Sequence, residues 1–157
     1  MTASSRSCPD PADGRIAVLA AALRAGAAGL YCAEAGVELL IGQGAWLRRS
    51  DFTGPFIAVT PGLPGGAAMA AVGWDDAVAA LDGGALPCSS GERRILHLAA
   101  SIAAGIPADL GEALTGLDRA GITAAARAVL HAGGHRDATV TLPPGIPPHL
   151  RRRKSER

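Results

Sequence analysis

A chain of 157 residues with a net charge of +1, 48% hydrophobic residues and 3% aromatics is the length of one domain with a core of its own. Three widely spaced cysteines, Cys8, Cys32 and Cys88, argue against both a disulfide framework and a cysteine zinc site, and fit a reducing, cytoplasmic setting. The N-terminus has no signal-peptide apolar run, and Arg24, Glu34 and Glu38 break the apolar stretch that follows, which argues against a membrane span.

Taken in order, residues 1–9 are polar and aperiodic and read as a disordered lead-in. Asp10 as N-cap and Pro11 at the first helical position start a helix along Ile16, Leu19, Ala20 and Leu23. Gly26 and Gly29 mark a join, after which Leu30, Ala33, Val37 and Leu40 resume the period to about Ile41. Gly42 to Gly44 is a stop, and Ala45 to Arg49 reads as one more helical turn that ends before Asp51.

The runs 56–60 and 67–72, parted by a Pro- and Gly-rich segment, predict a β-hairpin over about 56–72. Asp75 or Asp76 is expected to cap a short helix over Ala77 to Leu81. Ser89 and Glu92 have capping-box spacing ahead of Ile95, Ala99 and Ile102, with Gly105 and Pro107 as terminators. Asp109 and Asp118 cap two further helices, the last with the apolar stripe Ile122, Ala125, Ala126, Val129 and Leu130, stopped by Gly133 and Gly134. Residues 137–157 are Pro-rich and end in a basic run, so the last seven residues carry +4 against the chain's total of +1. The expectation is a mainly α fold with a small β-hairpin, a single helical domain of five to six helices over 10–136, and disordered ends.

Candidate chemistry is sparse. Gly42-x-Gly44 follows a helix and lacks the third glycine of a dinucleotide loop, and no Lys-Ser or Lys-Thr follows Gly62 to Gly66 to complete a P-loop. His131 and His135 are separated by a helix stop, which argues against a metal pair with His97. Glu34 and Glu38 read as a solvated helix face, and Cys88, Ser89 and Ser90 show no base at a telling spacing. No catalytic residue, metal ligand set or cofactor is indicated. Arg119, Thr123, Arg127 and His131, at steps of four, form a basic and hydrogen-bonding stripe on the last helix. With the preceding helix they give a helix-turn-helix-like pair over about 109–131, which Arg151, Arg152 and Arg153 supplement as phosphate contacts.

The segments Trp46 to Phe52, Leu86 to Glu92, Gly116 to Asp118 and Val129 to His135 resemble a group of short, uncharacterised actinobacterial proteins. The resemblance spans roughly Gly29 to Arg136 and brings with it no activity, catalytic residue or ligand residue. Good caps and core stripes without visible chemistry lead to a non-enzymatic interaction or adaptor module with a protein partner and no membrane. A small DNA-binding protein is the alternative, and a small enzyme with a site assembled from distant residues is the third.

Overall fold

A computed structural model describes residues 11–143. It is mainly helical with one antiparallel hairpin, and it has seven α-helices among the described residues, against the five or six expected. Helix α1 spans Pro11–Ala27 and α2 spans Tyr31–Gln43. The join falls where the glycines place it, with Gly29 at a φ of 89°. At the far end of α2, Gly44 takes the left-handed conformation at φ 75° and closes the helix on Leu40. The proposed Asp10 cap lies outside the described residues.

A 3₁₀ turn over Trp46–Arg48 stands where one helical turn ending before Asp51 is expected, and it leads into a further helix that the spacing does not predict, α3, Ser50–Phe56. Gly54 and Pro55 look like breakers, but α3 is a short helix whose first turn carries Asp51 and whose Thr53 hydroxyl donates to Arg49 C=O at 3.0 Å. Burial holds it in place. Phe52 is fully buried between Trp46 and Phe56, with ring centroids 5.0 and 5.8 Å away.

Strands β1, Ile57–Thr60, and β2, Met69–Val72, pair antiparallel with Ile57 opposite Val72 and Thr60 opposite Met69. β2 lies so close on α1 that a Cβ at Gly26 would run into the Ala70 carbonyl. Helix α4, Trp74–Asp82, begins earlier than expected: Gly73 is its N-cap, and Asp75 and Asp76 sit in its first turn without capping it.

Helix α5, Ser90–Ala104, carries the complete capping box, with Ser89 Oγ accepting from Glu92 N–H at 3.2 Å and Glu92 Oε2 accepting from Ser89 N–H at 2.7 Å. Helices α6, Leu110–Thr115, and α7, Arg119–Ala132, are capped by Asp109 and Asp118 as the spacing predicts. The α2–α5 pair is the centre of the molecule and belongs to both apolar clusters. One cluster joins it to α1, α3, α4 and the hairpin around Leu23, Leu40, Trp46 and Leu96. The other joins it to α6 and α7 through Leu39, Ile95, Ala113, Ala125 and Ala128. Gly36 permits this closeness, since a Cβ there would stand 2.6 Å from both the Ala103 Cβ and the Ala99 carbonyl oxygen.

Candidate functional site

The α7 stripe is not one continuous outward face. Alanines set how α7 rolls: Ala125 and Ala128 are buried and Ala124 and Ala132 pack beside them, while Val129, expected inside, is 62% exposed. That rotation turns His131 inward, where its Nε2 lies 2.9 Å from Glu34 Oε2. Thr123 spends its hydroxyl on the Arg119 carbonyl at 2.9 Å. Arg119 in turn donates to the Leu142 carbonyl, which brings the segment after α7 back along that helix. Arg127 is exposed and has no hydrogen-bond or ion-pair partner among the described residues. Arg151, Arg152 and Arg153 lie outside the described residues. Both α6 and α7 lean on α5, and their contact with each other is slight, unlike the paired helices of a helix-turn-helix.

Glu34 is the residue that its sequence pattern misrepresents. It is not on a solvated face: its side chain is 10% exposed and its carboxylate is fully engaged. Oε1 accepts from Gly29 N–H at 2.9 Å, while Oε2 faces His131 Nε2 at 2.9 Å and Arg136 Nη2 at 3.3 Å. The Gly29 amide, then the His131 bond, hold this carboxyl below the ordinary glutamate range against the opposing effect of burial. Glu38, one turn on, does face solvent and pairs with Arg24 at 2.5 Å. The sequence cue for Glu34 is faint, because the N-cap of α2 is Leu30, which has no capping side chain.

A groove of about 290 Å³ between α4, α5 and α6 gathers Asp82, Ser90, Arg93, Arg94, His97 and Glu112. Asp82 Oδ1 is shared by Arg93 Nη2 at 2.6 Å and His97 Nε2 at 3.1 Å. Arg93 also donates to the Leu81 carbonyl at 3.0 Å, and Arg94 to the Glu112 carbonyl at 3.1 Å, so both arginines tie α5 to neighbouring helix ends. Asp82 orients His97, but among the described residues no nucleophile is hydrogen-bonded to the imidazole. Ser90 sits two helical turns away, about 10 Å along the axis. Cys88 is half-buried, and burial followed by the Glu92 charge pushes its thiol up, away from the reactive thiolate. Among the described residues, no three His, Cys, Asp or Glu side chains are grouped as a metal site requires.

The hairpin is a further surface feature. No residue between Asp51 and Asp75 is charged. Among the described residues β1 pairs only with β2, and its residues Ala58, Val59 and Thr60 are all exposed. Gly73 N–H donates to Phe56 C=O at 2.8 Å. In the antiparallel alternation, Ala58 and Thr60 therefore aim their backbone groups at β2, and Val59 aims its N–H and C=O at the open edge. Val59 is 55% exposed, and Met69 and, at the loop tip, Leu63 add further apolar surface.

None of the helices among the described residues is long and apolar enough to cross a membrane. No protein-family model, curated protein or solved structure matches the chain.

Proposed function

We propose that this chain is a non-enzymatic interaction module whose contact element is the β1–β2 hairpin, receiving a protein partner by strand addition at β1. One observation carries the reading: an exposed, charge-free strand edge with the Val59 backbone turned outward, on a hairpin seated firmly on α1. Solitary edges are ordinarily shielded by charge or cover. A photo-cross-linking residue introduced at Leu63 or at Arg127 in cells tests it. A single protein adduct at Leu63 that disappears with Val59→Pro is the expected result; adducts confined to position 127, or to nucleic acid, overturn it.

The Asp82–His97 pair favours a second reading, a small enzyme in which His97 is a general base. Hydrolysis of p-nitrophenyl acetate above the level of the His97→Ala variant would support it, and equal rates in the two proteins would remove it.

A further inference from the structure

We propose that the partner at the β1 edge is a second copy of this chain, an inference that rests on the interaction-module reading above. An antiparallel edge is self-complementary when a two-fold axis passes through an outward-facing residue. Val59 is such a residue. With the axis at Val59, each Val59 N–H donates to the other copy's Val59 C=O, and the two exposed valine side chains cover one another. Thr60 then stands opposite the second copy's Ala58. The pairing ends at Pro61, the next outward-facing position, which has no N–H to donate. The product is a four-stranded antiparallel sheet with β1 and its copy at the centre.

Charge selects this partner. Like charges directly opposite each other on paired strands are the usual obstacle to self-association, and the stretch from Phe52 to Trp74 contains none. An acidic or basic peptide finds no complementary group there, whereas the identical strand finds a matching row of small and apolar side chains: Ala58, Val59 and Thr60. A four-residue edge buries far less than a standard interface, so the dimer is weak and concentration-dependent.

Sedimentation equilibrium of the full chain from about 10 μM to 1 mM, a range suited to small transient interfaces, is the test. The weight-average mass is expected to rise from monomer towards dimer. Val59→Pro removes the outward N–H without touching the β1–β2 ladder, and Val59→Lys places two like charges face to face. Each is expected to weaken association about tenfold or more, the worth of roughly two hydrogen bonds, while Val129→Lys, on another exposed apolar residue, leaves it unchanged. In the wild-type chain, amide exchange at Val59 is expected to slow as concentration rises, a readout that needs no variant to fold. A monomer at every concentration, or association that both Val59 variants retain, overturns the proposal. A monomer that still yields a foreign protein adduct at Leu63 overturns the second copy and leaves the wider reading standing; no association and no adduct overturn both.

Discussion

Glu34 and His131 are 97 residues apart in the chain and 2.9 Å apart in the fold. Their contact joins the start of α2 to the end of α7, and Arg136 reaches the same carboxylate from the segment beyond. The carboxylate also accepts the Gly29 amide at the α1–α2 turn, so one side chain holds three parts of the chain. A buried charge of this kind is kept because each donor answers a lone pair; removing the acceptor strands all of them.

Glu34→Gln is expected to lower stability by about 2 kcal/mol, and Glu34→Ala by more, because alanine leaves the Gly29 N–H without its acceptor. Arg136→Ala is expected to cost under about 1 kcal/mol, since that guanidinium is mostly exposed. Urea midpoints at pH 7 with unchanged slopes measure all three. A Glu34→Gln variant as stable as the parent would show that the contact is ornamental.

The same carboxylate sets an acid limb in stability. Its pKa lies lower in the folded than in the unfolded chain, so on acidification the unfolded state takes up the proton first. The stabilisation is complete above the unfolded value of about 4.3 and is lost as pH falls through the folded value. Glu92, held low by the Ser89 amide, adds to the same limb. Urea midpoints between pH 7 and pH 3 are expected to fall, with a shallower fall in Glu34→Gln and some decline persisting through Glu92.

The α2–α5 contact can be tested by a pair of glycines on α2, Gly36 and Gly42. Gly36→Ala drives a methyl into Ala99 and Ala103 and is expected to destabilise by about 2–3 kcal/mol as the helices part. Gly42→Ala meets no atom within 4 Å and is expected to stabilise by up to about 1 kcal/mol through helix propensity. Thermal melts of the two variants should therefore move in opposite directions.

These two positions also show what the sequence carries and what it does not. Caps were legible because they are local: Ser89, Asp109 and Asp118 each bond an amide three residues on. Helix stops at Gly29, Gly44 and Gly105 were legible for the same reason, their left-handed φ being a property of one residue. The hairpin too emerged from its apolar runs and turn residues. What escaped depends on distant partners. α3 survives Gly54 and Pro55 through the burial of Phe52, and the roll of α7, which withdraws His131 and exposes Val129, is set by alanines meeting α2 and α5. Glu34 lacked any local mark, since its ligands come from Gly29, His131 and Arg136.

The cysteines differ in a way that alkylation reads directly. Cys32 is exposed, whereas Cys88 is half-buried with its thiol pushed up. Under limiting iodoacetamide at pH 8, mass spectrometry is expected to find Cys32 carbamidomethylated well before Cys88. Preferential labelling of Cys88 would mean that Arg49 and Arg93 outweigh burial there.

DNA binding provides the sharpest separation between the α7 stripe and the basic run that ends the chain. Three of the four stripe residues engage polar atoms within the protein, and among them the exposed guanidiniums of Arg119, held by one neutral carbonyl, and Arg127 still present a positive charge. Two guanidiniums neutralise about two phosphates, too few for a groove-reading helix. Any duplex affinity is therefore expected to follow net basic charge rather than α7. Fluorescence anisotropy with a 20-base-pair duplex at low salt should register weak binding that vanishes near physiological salt. Replacing Arg151, Arg152 and Arg153 by alanine is expected to abolish that binding and flatten its salt slope, while Arg127→Ala changes the affinity by less than about threefold. If instead Arg119→Ala and Arg127→Ala each weaken binding tenfold or more and relax sequence preference, α7 is a recognition helix, and the hairpin loses its place as the contact element.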